Sequence, residues 1–521
     1  MPTHRTAGAC TLAEAILDGA RRHETTPVTV ASLVRPSVAS LGELAGDARR
    51  VAGALQSLGV GPGDVVAVQL PNWYEGAVAQ AAVVLCGAVL LPVVQIYGPR
   101  ELGFILRQSR AVALVIPGEW RGRDHPGMVR ASGALPDLKA VVVVDEHAPE
   151  GMLTWAELTA WAAGPYTRPR QDPGDLAMLV YTSGTTADPK GVRHTHASLL
   201  AEIHSPVSIR SAGPDTTHLA LFPSGHVAGL LGLLRILVHG TPTVIMDAWD
   251  TARAAALIDE HRVTWSVGAP VHLAGLLDAR DGGTARLSSL REFMVGAAGV
   301  PPALVYRADA AGLAAYRCYG SSEHPTISSG EPGDPLVKRA TTDGRVIGGS
   351  EVRLVDDAGR DVPEGAEGEI VSRGGELFAG YADRALDQAA FLPGRWFRTG
   401  DIGRLDGDGY LTVTDRKKDI IVRGGENISA KEVEDVLALH PRVAEVAAVA
   451  LPDERYGERV CAVVVMRDGG GLDVAEVGVH FAAAGVARHK TPERVVVVEE
   501  LPRTAAGKVQ KYLLRDRLAG G

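Results

Sequence analysis

The segment Tyr181-Thr-Ser-Gly-Thr-Thr-Ala-Asp-Pro-Lys-Gly191 places small and hydroxylated residues directly after an apolar run at 176–180. Such residues leave backbone N–H groups bare and free to converge on an anion. Ser183, Thr185 and Thr186 add hydroxyl donors and Lys190 adds a compact positive charge, a combination suited to phosphate. The plain alternative is an ordinary Ser/Thr/Gly-rich surface loop. A Walker A loop needs Gly-Lys followed by Ser or Thr, and here Lys190 is followed by Gly191, so the P-loop NTPase reading fails. Lysine is scarce in this chain. Of 53 basic residues only nine are lysine, at 139, 190, 338, 417, 418, 431, 490, 508 and 511. Arginine supplies generic positive charge, so a lysine hints at a need for a point charge on a flexible stem, which the planar guanidinium cannot imitate. Lys190, Lys418 and Lys508 all fall inside motif-like segments.

These residues need a scaffold, and the hydrophobic pattern outlines one. Thr11-Leu-Ala-Glu14 reads as a capping box before an amphipathic helix. Short β-branched runs at 65–70, 88–94, 111–116 and 140–144 alternate with helical stretches at 73–85 and 100–108, the pattern of a parallel sheet covered by helices. Strand candidates continue at 243–246, 265–267 and 292–295, and residues 351–410 predict a smaller β-rich unit. The last hundred residues read as a separate α+β unit. A second capping box at 429–432 opens a helix there, with strands at 443–451, 460–466 and 495–498 and a helix at 474–484. The charged run Asp415-Arg-Lys-Lys-Asp419 sets the boundary, giving an α/β N-terminal domain at 1–417 and a C-terminal domain at 418–521.

Composition narrows the class. A length of 521 residues demands more than one core. Hydrophobic content of 46% with 22% charged residues is that of a globular protein, and a net charge of −9 gives no footprint for nucleic acid. Cys10, Cys86, Cys318 and Cys461 form no CxxC pair and predict buried or incidental thiols rather than a metal site or disulfides. The longest apolar run, 81–91, is too short to span a bilayer, and the first ten residues lack a signal-peptide core, so a cytoplasmic protein is the expectation.

The 181–191 run resembles the phosphate loop of the adenylate-forming enzymes, and further motifs of that superfamily follow in order across nearly the whole chain. Phe222-Pro-Ser-Gly-His226-Val-Ala-Gly229 is similar to its Pro-x-x-His-x-x-Gly element, and Gly296-Ala-Ala-Gly299 to its glycine-rich turn, with Ala297 in place of a usual Gly. Tyr319-Gly-Ser-Ser-Glu323, Trp396-Phe-Arg-Thr-Gly-Asp401, Arg416, Lys418, Arg423-Gly-Gly-Glu-Asn427 and Leu501-Pro-Arg-Thr-Ala-Ala-Gly507-Lys508 complete the set. The chain is thus identified as a member of the acyl-CoA synthetase branch, closest in motif wording to bacterial cyclohexanecarboxylate and medium-chain acyl-CoA ligases.

The resemblance implies an acyl-CoA synthetase-like fold, ATP-dependent adenylation of a carboxylic acid, and thioester formation with coenzyme A. Catalytic roles fall to Lys508, Thr182, His226 and Glu323, with Glu323 also a ligand of Mg²⁺. Nucleotide contacts fall to Thr182, Ser183, Gly184, Thr185, Thr186, Lys190, Ala298, Gly299, Tyr319, Gly320, Ser321, Ser322, Asp401 and Arg416. Lys418 becomes the hinge of a mobile C-terminal domain, and Gly424, Gly425 and Glu426 line the CoA tunnel. His226, Val227, Gly229, Gly268 and Ala297 border the acyl pocket. A homodimer is left open.

Two rivals remain. Amino-acid activators place an Asp at the start of the pocket element, and hydroxybenzoate activators an Asn after the His. Val227 supplies neither, which weighs against a stand-alone enzyme loading a carrier protein. Ala187 and Ser322 depart from the common loop Gly and the common Thr, which keeps open a member that performs only the thioester-forming half-reaction. Small residues at Gly225, Ala228, Gly229, Gly268, Ala297 and Ala298 predict a wide pocket, favouring an alicyclic, polycyclic or branched acid over a thin straight chain.

Overall fold

The computed structural model describes residues 10–160, 166–182, 189–213, 215–297, 300, 302–416, 420–467, 469–502, 509 and 511–519. Ser183, Gly184, Thr185, Thr186, Ala187, Ala298, Gly299, Lys418 and Lys508 lie outside the described residues, and Arg416 is placed only by its strand.

Two sheets carry the large N-terminal part. One has nine strands and one has seven, each mainly parallel at its centre. Along their strands the side chains alternate, so each sheet buries two apolar faces. Val66 and Val68 pack inward with Val28, Val30 and Ile245 of the other sheet, while Ala67 joins the outer cluster with Leu102 and Ile105. Between the inner faces run the helices Tyr74–Leu85 and Val227–His239, apolar around most of their circumference because protein surrounds them on every side. The capping box at Thr11 forms as the sequence requires: Thr11 N–H donates to Glu14 Oε2 at 2.9 Å and Glu14 N–H to Thr11 Oγ1 at 3.3 Å.

The β-rich unit is a five-stranded antiparallel sheet built from Ser350–Val355, Gly368–Gly374, Phe391–Leu392, Trp396–Leu405 and Leu411–Arg416. Ile420–Arg423 pairs instead within a separate five-stranded sheet of the C-terminal residues, with the helices Ala430–Ala438 and Val474–Ala483 on one face and Lys511–Ala519 on the other. None of the four cysteines is in a disulfide, and among the described residues no helix is long and apolar enough to cross a membrane. The hairpin Pro27–Val30/Ser37–Ser40, which closes one edge of the nine-stranded sheet, escapes the sequence reading because Val38 is exposed and the strand is four residues long.

Two buried carboxyls tie the units together. Glu202, on the helix His196–Ile203, accepts from Thr326 Oγ1 at 3.1 Å, and Glu376, just past the strand Gly368–Gly374, hydrogen-bonds both Glu202 and the backbone N–H of Thr326. Both are less than 5% exposed (2% and 4%). Burial, then the adjacent Glu202 charge and hydrogen bond, holds Glu376 far above the usual carboxylate range, up to about 11, so Glu376 keeps its proton at neutral pH. Between the ordinary carboxylate range and this raised value the folded protein binds one more proton than the unfolded chain, and stability falls as pH rises through that interval. Glu376→Gln keeps a donor toward Glu202 without that proton uptake. It should match wild type in thermal melts at about pH 5 and exceed it by about 1–3 kcal/mol at about pH 8.5. An equal stability change at both pH values would show that Glu376 takes up no proton on folding.

Candidate active site

Thr182 and Lys190 are paired across an antiparallel ladder, Leu176–Thr182 against Lys190–Thr195, so the candidate phosphate loop joins the ends of a hairpin. The next helix, His196–Ile203, starts only beyond the second strand. Lys190 Nζ stands 5.3 Å from the centre of the Tyr381 ring, and Tyr381 Oη donates to Glu323 Oε1 at 2.8 Å. One tyrosine therefore links the lysine at the hairpin to the glutamate of the 319–323 turn.

That turn is tightly built. A Cβ at Gly320 would overlap the Pro325 carbonyl, so only glycine fits. His194 Nε2 donates to the Ser322 carbonyl at 2.7 Å and its Nδ1 accepts from Ser198 Oγ at 3.1 Å, while His324 reaches Ser372 Oγ at 2.9 Å and Ser350 Oγ at 3.0 Å. Burial pushes both imidazoles down to about 4, so they are neutral struts. Neither was singled out from sequence, because a lone buried histidine carries no spacing signal. Ser321 holds the turn through its N–H to the His324 carbonyl, 2.9 Å, and its Oγ, which accepts from His324 N–H. Tyr319 Oη donates to Asp401 Oδ2 at 2.8 Å, and Asp401 lies opposite Arg416 in the ladder.

A second group forms at the start of the sealed helix. His226 is the N-cap residue of Val227–His239. The segment before it is tethered by Asn72, which donates to the Phe222 and Met246 carbonyls at 2.9 Å and accepts from Ser224 N–H, and by Gln80, which donates to Ser224 Oγ at 2.8 Å. His226 Nε2 donates to Glu426 Oε1 at 2.6 Å, with the two side chains 29% and 25% exposed. Burial alone would lower the His226 pKa and raise that of Glu426. Their mutual charge and hydrogen bond outweigh it, raising His226 and, with help from His489 and Lys490, drawing Glu426 down to about 2. Beside Glu426, Gly425 has φ +89, and a Cβ there would lie 3.8 Å from the methyls of both Ala269 and Ala297. Ala297 itself has φ +66, a conformation costing a non-glycine residue about 1–2 kcal/mol, so the departure from glycine in this turn is borne as strain.

The structure thus brings together Thr182, Lys190, Glu323, Tyr319, Asp401 and Ser322 on one side, and His226, Val227, Gly424, Gly425, Glu426 and Ala297 on the other. The expected widening by small residues is corrected at three positions. A Cβ at Gly225 would meet the Val94 backbone at 2.7 Å, one at Gly229 would overlap the Pro223 carbonyl, and one at Gly268 would meet His272 Nδ1 at 2.8 Å. These glycines allow close packing of backbone and ring rather than opening volume. Phe222 and Trp249 flank the His272 ring at 5.8 and 4.5 Å, an aromatic group that no spacing announces. A surface cleft of about 260 Å³ between Leu277, Arg286 and Leu313 contains none of these residues.

The chain matches the AMP-binding enzyme family over residues 19–382 and the AMP-binding enzyme C-terminal domain over residues 432–508. It is similar to a medium-chain fatty-acid–CoA ligase of Escherichia coli (strain K12), 36% identical over 467 residues that cover 88% of this chain and 82% of the relative. It is also similar to a 3-[(3aS,4S,7aS)-7a-methyl-1,5-dioxo-octahydro-1H-inden-4-yl]propanoyl:CoA ligase of Rhodococcus jostii (strain RHA1), 34% identical over 521 residues, covering 94% of this chain and 99% of the relative. Among solved structures, the amide bond synthetase McbA from Marinactinospora thermotolerans superposes with a TM-score of 0.87 at 28% identity, covering 98% of this chain and 100% of that one.

The His226–Glu426 pair has a defined pH window. Glu426 contributes stability above its ordinary range and His226 contributes below its raised value, so the pair is fully present between about pH 5 and 6.5 and is lost as pH rises through the His226 pKa. Glu426→Gln should lower stability by about 1–2 kcal/mol in that window and by less above it. It should also move the His226 titration, followed by NMR, downward, since the Glu426 charge and hydrogen bond are what raise it. An unmoved His226 titration would show that the two side chains do not pair in solution.

Proposed function

The chain belongs to the AMP-binding enzyme family, in its acyl-CoA synthetase branch, and from that premise we propose that it activates an apolar carboxylic acid as its AMP ester and passes the acyl group to the thiol of coenzyme A. The observation that carries the acceptor side is the closure of residues 424–426 on the His226 end of the sealed helix, with Gly425 against Ala269 and Ala297. In this reading the two glycines, which carry no side chain, leave room beside Ala269 and Ala297 for the slender thiol arm. On the acid side, Val227 stands where an amino-acid activator needs a carboxylate, and Phe222, Trp249 and a His272 held neutral by burial offer apolar contact. The activities for which the two relatives are named, on a medium-chain fatty acid and on an alicyclic propanoate, agree with an apolar acid.

In this reading a carboxylate oxygen attacks the α-phosphorus of ATP and pyrophosphate leaves. The thiolate sulfur then attacks the acyl carbon and AMP leaves. Free carboxylate cannot do this because its leaving group would be oxide. Thr182, the loop hydroxyls and Lys190 hold phosphate oxygens. Asp401, oriented by Tyr319, accepts from ribose hydroxyls, with Arg416 alongside. Lys508 draws the carboxylate and α-phosphate together, in a second orientation reached by turning the C-terminal residues about Lys418. Among the described residues no group of three metal-binding side chains exists, and Glu323, with the Tyr381 hydroxyl on one oxygen, is a single hard donor. That donor set fits Mg²⁺ arriving with the nucleotide, since this ion keeps waters and phosphates and takes one or two carboxylates. Bound there, it would neutralise phosphate charge.

With ATP, Mg²⁺ and CoA, medium-chain and alicyclic acids should yield AMP, pyrophosphate and acyl-CoA about tenfold or more faster than free amino acids. ADP as product, or transfer to a carrier protein or an amine in preference to CoA, would sink this assignment. Lys508→Ala should cut acid-dependent pyrophosphate exchange by about 10²–10³ while CoA still converts synthetic octanoyl-adenylate. Gly425→Leu, placing a side chain at φ +89 between two methyls, should do the reverse. Equal loss of both half-reactions in either variant would refute the two-orientation scheme.

A further inference from the structure

At the start of the helix Pro99–Ser109 the C-terminal residues meet the large part of the chain in a buried polar seam far from His226 in sequence. Glu101 divides its carboxylate. Oε2 caps its own helix by accepting from Gly98 N–H at 3.0 Å. Oε1 faces the C-terminal sheet unit, accepting from Ala487 N–H at 3.0 Å and from Lys490 Nζ at 3.3 Å. Lys490 also binds Glu432 at 2.9 and 3.0 Å and lies 5.8 Å from the Tyr97 ring centre. Glu101, Glu432 and Lys490 are 2%, 3% and 1% exposed. Beside them Gly98 lies so close to the Gly485 carbonyl that an added Cβ would overlap it.

We propose that Glu101, with Gly98, is a positioning residue for thioester formation: it latches the C-terminal unit in the orientation that brings Glu426 to His226. This rests on the two-orientation reading above. Lys490 and Glu432 belong to the same unit, so on undocking Lys490 would retain Glu432 while the Ala487 amide and Glu101 Oε1 lose their partners across the seam. Docking strips water from the Glu101 carboxylate, and the Lys490 charge and Ala487 N–H offset that cost. A buried pair of this kind is close to neutral in stability yet demanding in geometry, which suits a contact that must form and release in every turnover. The Gly98–Gly485 approach sets the register, because backbone meets backbone with no side chain to yield.

Two variants test it. Glu101→Gln removes the charge while retaining an oxygen for the helix cap. Gly98→Ala keeps an ordinary extended backbone, φ −87 and ψ 179; its methyl overlaps the Gly485 carbonyl across the seam, and within the large domain it meets only the Glu101 Oε2 side-chain oxygen at 3.1 Å, which a small side-chain shift relieves. Both should slow conversion of synthetic octanoyl-adenylate and CoA to octanoyl-CoA by about tenfold or more, and leave acid-dependent pyrophosphate exchange within about twofold. Hydrogen exchange over residues 485–490 should quicken in both, because the Ala487 amide loses its acceptor. Parallel loss of both half-reactions, or unchanged exchange at 485–490, overturns the latch. Faster exchange there, in a protein whose wild type makes no CoA thioester from any acid, keeps the docking contact and overturns the ligase reading instead.

Discussion

The site hangs from one sealed helix. Val227–His239 buries Leu230, Leu231, Leu233, Leu234, Ile236, Leu237 and Val238 between two sheets, each such side chain contributing about 1.5–3 kcal/mol relative to exposure. A helix enclosed on all sides cannot roll or slide without opening voids in both cores. His226 at its N-terminus is therefore fixed by apolar packing rather than by its own contacts. Asn72 and Gln80 complete the constraint from the neighbouring layer.

The second half of the site is held by the opposite means. The turn at 319–323 sits where strands of two sheets end, and there polar struts replace apolar packing. His194, His324 and the buried Glu202–Glu376 pair converge behind Ser322, Glu323 and Thr326. Every strut is buried, so removing one of its partners costs the desolvation of the polar group left behind. This lets Glu323 and Tyr319 be placed on a loop without the looseness of a loop.

The contact between the C-terminal unit and the rest differs from both. Its described elements are the His226–Glu426 pair, the Gly425 seat and the Glu101–Lys490 seam, all polar or glycine-based. Among the described residues no apolar cluster spans the two, and polar pairs of this kind lie near energetic balance. A rigid interior and a balanced docking contact are what an enzyme needs if one site is to be rebuilt between two chemical steps.

Periodicity and capping chemistry were enough to place the strands at 65–68, 113–117 and 140–144, the helix Tyr74–Leu85, the capped helix at Leu12 and the separate sheet after residue 420, because each depends on neighbours within a few positions. Motif order was enough for the family, since glycine, hydroxyl and lysine spacings survive as linear strings. What lay beyond the sequence were pairings between distant residues. Lys490 was one of nine lysines and lay unnoticed between Arg488, His489 and Pro492, because nothing local reveals that Glu101, 389 positions away, will meet it. Glycine has one appearance in a sequence and two uses in a structure, so Gly225, Gly229 and Gly268 looked like open volume and proved to be close packing. The chain's local grammar determined its elements and its class. Only the folded arrangement decided which carboxylate keeps its proton, which histidine carries a charge and which end of which helix receives the C-terminal unit, because burial and through-space charge are properties of neighbours that the linear order does not specify.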